Sequence, residues 1–177
     1  RVPFSRAKMR AASTPRRGDL VVVEPPYYRT TSLRRLSSPF VAFFTLNNIR
    51  FESQPGYQYE RESVMRRVIG LPGDTVQIAD FTALIMNEST SGYKSEFDLA
   101  RRTYTVSIDP LPEGWSEDYP SSGTHAPITL DDDEYFVMSD NRSATNDSRY
   151  WGPIGIASFR SKVLFRYWPF DTLGVPR

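Results

Sequence analysis

Chemistry has few places to reside in this chain. Its 177 residues include no cysteine and a single histidine, His125. That excludes thiolate metal sites, a thiol nucleophile and a metal cluster built on two imidazoles. A Ser-His-Asp triad has only His125 to draw on, and His125 stands among small residues and prolines, a segment that reads as a surface loop. The run Asp131-Asp132-Asp133-Glu134 resembles a calcium loop in composition. It lacks the alternating spacing and the distal bidentate glutamate, so it reads as a solvated turn entering a strand. No metal and no cofactor is expected. In the polar stretch from Ser139 to Gly152, Asp147 and Arg149 can form a buried or half-buried pair that holds a loop, and breaking it would strand a charge.

The elements that must position these residues are short and β-branched. Strands are expected over Leu20–Val23, Val64–Ile69, Thr75–Ile78, Ala83–Met86, Thr103–Ile108, Tyr135–Met138 and Lys162–Tyr167. Pro-Pro, Pro-Gly, Ser-Gly and Asp-rich turn signals separate them, and long helical periodicity is nearly absent. In Leu71-Pro72-Gly73-Asp74 proline fixes one φ and glycine permits the positive φ of a type II turn. From about 83 to 128 the composition shifts toward Ser, Glu, Pro and Tyr, with Pro110, Pro112, Pro120 and Pro127. The expected organisation is a mostly β, antiparallel core over 1–82 and 129–177, with 83–128 as a small inserted subdomain.

Charge is balanced overall, at +1, but not along the chain. Residues 1–35 hold nine basic side chains against Asp19 and Glu24, a local +7, which leaves −6 for the remainder. Such asymmetry points to an anionic surface near the N-terminal end. A solvated leader is the alternative. The acidic remainder lacks the glycine-aromatic context of an RNA-recognition sheet, so membrane lipid and not nucleic acid is the expected partner there. No run of about 18 apolar residues is present to span a membrane.

Three segments, in order and at matching spacing, resemble boxes of the type I signal peptidases, membrane-anchored proteases that remove signal peptides with a serine/lysine dyad. They are Arg17-Gly18-Asp19-Leu20-Val21-Val22-Val23, then Arg66-Arg67-Val68-Ile69-Gly70-Leu71-Pro72-Gly73-Asp74-Thr75-Val76, then Ser139-Asp140-Asn141-Arg142-Ser143-Ala144-Thr145-Asn146-Asp147-Ser148-Arg149-Tyr150-Trp151-Gly152. The ending Phe165-Arg166-Tyr167-Trp168-Pro169 is similar to that of many members. The resemblance implies an antiparallel signal-peptidase-like fold. Gly18, Asp19, Asp140, Asn141, Asp147, Ser148 and Arg149 would be its structural motif residues.

The resemblance also implies where the dyad should stand, and the residues there differ. In the family a serine hydroxyl attacks the scissile carbonyl while a lysine, kept neutral by burial, takes its proton. The lysine position is Arg66 here. A guanidinium stays protonated and accepts no hydrogen bond, so it cannot be a general base. Counting between the anchors Pro3-Phe4 and Gly18-Asp19 puts Arg10 at the serine position and Lys8 at an oxyanion-stabilising position, with Thr14 the clear match in the serine box. A shifted alignment leaves Ser5 or Ser13 as substitute hydroxyls. Thr145 matches the hydroxyl that orients the lysine, and Ser139 replaces a glycine beside the site.

The expectation is therefore a catalytically inactive signal-peptidase-like protein of the export pathway that binds signal peptides, preproteins or an active signal peptidase. Ser63, Val64, Met65 and Arg66 would form the strand that takes an extended peptide, with Phe4 near its pocket. The alternative is an active signal peptidase using Ser5, Ser13 or another base. The expected location is the extracytoplasmic face, periplasmic or outer, with an apolar anchor upstream of Arg1.

Overall fold

The structure, a computed structural model, describes residues 14–27, 63–110, 113, 123–143, 146–164 and 174. The chain divides into two compact units, 1–26 with 64–177, and 27–63. The elements below all belong to the first. They are β1 (Leu20–Val23), β2 (Val64–Gly70), β3 (Thr75–Ala79), β4 (Thr82–Met86), β5 (Lys94–Ser95), α1 (Glu96–Leu99), β6 (His125–Thr129), β7 (Glu134–Met138), α2 (Ser148–Trp151), β8 (Ile154–Gly155) and β9 (Phe159–Lys162).

Two antiparallel sheets result, one in the order β8-β7-β2-β1-β9 and one in the order β5-β4-β3-β6. The fold is mostly antiparallel β, as the strand signals predict. No helix among the described residues is long and apolar enough to cross a membrane.

β7, and β2 at Val68–Ile69, are apolar at consecutive positions because both faces of the first sheet are covered there. Ile69, Phe136 and Met138 point into a core shared with Val76, Ile78, Ala83, Ile85 and Leu130 of the second sheet. Their neighbours Val68, Tyr135 and Val137 point the other way, against Val21, Val23, Ile154 and Phe159. Fully burying each such aliphatic side chain contributes about 1.5–3 kcal/mol. Gly70 ends β2 where a Cβ would meet Leu130 Cδ1 at 2.6 Å, Val76 Cγ2 at 2.7 Å and Phe136 Cβ at 2.9 Å.

The turn Leu71–Asp74 closes as expected. Asp74 N–H donates to the Leu71 carbonyl at 3.0 Å, and Gly73 takes φ +80°. The Asp74 carboxylate locks it, accepting from Leu71 N at 2.6 Å, Asn87 Nδ2 at 2.9 Å and Arg17 Nη2 at 2.8 Å. The acidic run at 131–134 is a turn entering β7: Glu134 N–H donates to the Asp131 carbonyl at 3.1 Å.

Three expectations are corrected. Thr103–Ile108 alternates like a strand, but makes only a parallel bridge between Ser107 and Asn141, because Tyr104 is drawn inward while Thr105, Ser107 and Ile108 face solvent. The C-terminal strand lies earlier than Lys162–Tyr167, at Phe159–Lys162, where Phe159 packs on Tyr135 at 5.0 Å between ring centres. Residues 165–167 lie outside the described residues. His125 is not in a loop: it begins β6, half-buried, with its ring centre 6.1 Å from that of Phe136 in an edge-to-face arrangement.

Candidate functional site

The loop after β7 is built on a buried ion pair. Asp147 caps α2, and its carboxylate accepts from Arg149 N at 3.1 Å, Arg149 Nε at 3.0 Å, Arg149 Nη2 at 2.8 Å and Ser139 N at 2.9 Å. Arg149 Nη1 donates to the Arg142 carbonyl at 2.6 Å, and Ser148 Oγ accepts from Val137 N at 3.0 Å. With Asp147 and Arg149 both almost wholly buried, removing one partner costs about 3–5 kcal/mol. The paired reading of Asp147 and Arg149 therefore holds, and the loop is pinned to the end of β7.

A second network lies beneath this loop. Arg67 makes a bidentate pair with Asp140, 2.7 Å on each arm, donates to the Gly18 carbonyl at 2.8 Å and lies 4.0 Å above the Tyr104 ring. The Tyr104 hydroxyl donates to Glu96, which also accepts from Arg142 Nη2 at 2.6 Å and Ala83 N at 2.9 Å. Burial pushes the Tyr104 phenol far above its ordinary range, and the adjacent Glu96 carboxylate raises it further. Glu96 and Arg142 are fully buried.

The open part of the site is the start of β2. On one side β2 pairs with β1 from Val64↔Val23 to Arg67↔Leu20. On the other its pairing with β7 begins at Arg67↔Met138, leaving Val64 to Arg66 beyond the end of that ladder. Val68 exchanges both backbone bonds with the Gly18–Asp19 side. By strand alternation the N–H and C=O of Met65 then point away from β1, toward the loop after β7. There a groove of about 340 Å³ is lined by Leu20, Val64, Met65, Arg66, Ser139, Asp140 and Asn141. Met65 is 54% exposed within it. Arg66 spans the groove: its Nε donates to the Asn146 carbonyl at 2.7 Å and its Nη1 to the Met65 carbonyl at 2.6 Å.

All three sequence boxes contribute to this groove, through Leu20, Arg66 and Ser139–Asn141. Val64, Met65, Arg66, Asp140 and Asn141 are thus brought together, and Ser63 is exposed just ahead of β2. Gly18 and Asp19 face a separate groove of about 170 Å³ with Arg17, Arg101, Arg102 and Lys162. There Asp19 pairs with Lys162 at 2.6 Å. Phe4, Ser5, Lys8, Arg10, Ser13 and Thr145 lie outside the described residues. Sequence reasoning missed Leu20 and Asn146. The Asn146 contribution is a backbone carbonyl, which no side-chain pattern announces. It also missed the Glu96–Arg142 pair, whose partners stand 46 positions apart.

Comparison with known proteins places these features in a family. A model of the family "Signal peptidase, peptidase S26" matches residues 4–168. The signal peptidase I of Leptolyngbya laminosa is 27% identical over 160 residues, 90% of this chain and 56% of that protein. A probable signal peptidase I-2 of Synechocystis is 24% identical over 114 residues, 64% of this chain and 42% of that protein. A signal peptidase IB of Staphylococcus aureus is 28% identical over 117 residues, 63% and 56%. This chain therefore spans about half the length of these curated relatives. Among solved structures, a signal peptidase I of Enterococcus faecalis aligns with a TM-score of 0.42 and 20% identity, covering 85% of this chain and 97% of that one.

Proposed function

This chain belongs to the signal peptidase family, peptidase S26, and from that premise we propose that it serves protein export by holding signal-peptide segments of preproteins in the β2 groove without cutting them. The observation that carries this reading is the state of Arg66. It stands where the family has its lysine, and at two of its nitrogens it donates to backbone carbonyls. A proton-accepting lone pair is what the lysine supplies, and a guanidinium has none. Arg10, at the serine position, completes the altered dyad in this reading, while Thr145 keeps the supporting hydroxyl.

The groove itself supports peptide capture. An extended chain laid along Val64–Met65 would add a strand beside β2, drawing its affinity from backbone bonds. Phe4 and Ser63 would border that strand. An active signal peptidase is the further partner this surface would engage, and the basic N-terminal segment would contact anionic lipid on the extracytoplasmic face. The test is a nuclear magnetic resonance titration of this chain with a signal-peptide segment. Perturbed amides at Val64, Met65 and Ser139–Asn141 are expected. Saturable binding that leaves those amides unmoved would sink the groove reading.

A further inference from the structure

The segment between α1 and Tyr104 is held at both ends. Tyr104 is buried, with its hydroxyl on Glu96 and the Arg67 guanidinium 4.0 Å over its ring. At the other end the chain packs against Gly18: a Cβ added there would meet Ala100 Cβ at 3.6 Å and Arg101 N at 3.9 Å. Between these anchors stand Arg101 and Arg102, both exposed, and both line the groove of about 170 Å³ that also holds Arg17, Asp19 and Lys162. Arg17 is committed to Asp74 at 2.8 Å and to the Ile69 carbonyl. Lys162 is committed to Asp19 at 2.6 Å. The side chains of Arg101 and Arg102 carry no ion pair and no hydrogen bond among the described residues. Four cations thus answer to two acids, and the excess positive charge resides on this pair.

Arginine forks match the oxygens of a phosphate, which accept hydrogen bonds in pairs. The same groove has an apolar lip: Leu164, two residues past β9, is 70% exposed, with Val163 beside it. A soluble anion would use the two arginines and gain nothing from Leu164. A lipid uses both, because an apolar side chain at headgroup depth enters the acyl boundary while basic groups meet the phosphates. We propose that this groove seats the phosphate of an anionic membrane lipid, with Arg101 and Arg102 as its donors and Leu164 as its apolar contact. This deepens the lipid contact proposed above and rests on it for the presence of a membrane surface. It moves the headgroup donors from the basic N-terminal run to the pinned segment after α1.

The experiment is co-sedimentation of the chain with vesicles of phosphatidylcholine, and with equimolar phosphatidylcholine and phosphatidylglycerol. The unaltered chain should prefer the anionic vesicles. Arg101→Gln with Arg102→Gln should weaken that binding about ten-fold. Arg1→Gln with Arg6→Gln, which removes the same charge from the N-terminal run, should weaken it less. A nuclear magnetic resonance titration with inorganic phosphate separates the two sources of the anion. Shifts at the Arg101 and Arg102 amides are expected, and Leu164→Ser should leave them unchanged while weakening vesicle binding. Phosphate shifts with no preference for anionic vesicles would overturn the lipid assignment in favour of a soluble phosphate compound. Equal losses from the two double changes would overturn the groove as a site and leave only diffuse attraction to lipid. No preference for anionic vesicles and no phosphate shifts would overturn the lipid contact itself, and this proposal with it.

Discussion

Glu96→Gln should be one of the most damaging single-atom changes in this chain. Glu96 is fully buried in α1 and accepts from Arg142 at 2.6 Å, from Ala83 N at 2.9 Å and from the Tyr104 hydroxyl. Arg142 is also fully buried, its Nε has no hydrogen-bond partner, and its Nη1 faces the sulfur of Met138 at 3.0 Å. An amide at position 96 keeps the size of the side chain but leaves the Arg142 charge uncompensated. Breaking a buried pair in this way costs about 3–5 kcal/mol, a large part of the roughly 5–15 kcal/mol that holds a domain folded. For a chain of this size that corresponds to a fall of about 6–20 °C in Tm. The assay is urea and thermal unfolding followed by circular dichroism, with the double change Glu96→Gln, Arg142→Met as the comparison. The amide at 96 still accepts from Ala83 N and pairs with the Tyr104 hydroxyl, so removing the stranded guanidinium should recover most of the loss. A single change costing under about 1 kcal/mol, or a double change no better than the single, would refute the claim that this pair ties α1 to the loop after β7.

Other outcomes follow from the same geometry. Gly70→Ala should destabilise by about 1–3 kcal/mol, measured by urea unfolding, because its Cβ would stand 2.6–2.9 Å from Leu130, Val76 and Phe136. Raising the pH should weaken the fold through Tyr104. Its phenol is raised in the folded state by burial and by Glu96, so its contribution is fully present below the unfolded value near about 10 and lost as pH climbs above it. Tyr104→Phe should flatten that alkaline decline in a series of unfolding curves. Asp147→Asn should strand Arg149 and cost about 3–5 kcal/mol, and in amide hydrogen exchange it should release Ser139 N–H, whose acceptor is the Asp147 carboxylate.

Much of the site's framework is legible in the sequence because it is local. The Asp147–Arg149 pair joins residues two apart, the Leu71–Asp74 turn is written in its own four residues, and the β-branched run of β1 can be little but a strand. What escaped depends on tertiary neighbours. β6 contains Pro127 and reads as a loop, yet it is tolerated because β6 is the edge of its sheet, where register slips between Val76 and Ile78. Thr103–Ile108 has the alternation of a strand without a ladder to join. Glu96 carries no local mark of its role, which comes from an arginine far along the chain. The strand that carries Val64–Arg66 is legible in its residues, but the use of the Arg66 side chain to cap the Met65 carbonyl is visible only once the open end of β2 is seen beside the loop after β7.

The central claim, that this chain holds signal-peptide segments without cleaving them, is tested most directly by mass spectrometry. A preprotein that an active signal peptidase cuts is incubated with this chain in the presence of lipid, and its products are weighed. The account predicts intact preprotein, no cleavage from Arg10→Ser or Arg66→Lys alone, since members of a nucleophile-base unit act together, and measurable cleavage at most from the two changes combined. Cleavage at the signal-peptide site by the unaltered chain, abolished by Ser5→Ala or Ser13→Ala, would contradict it.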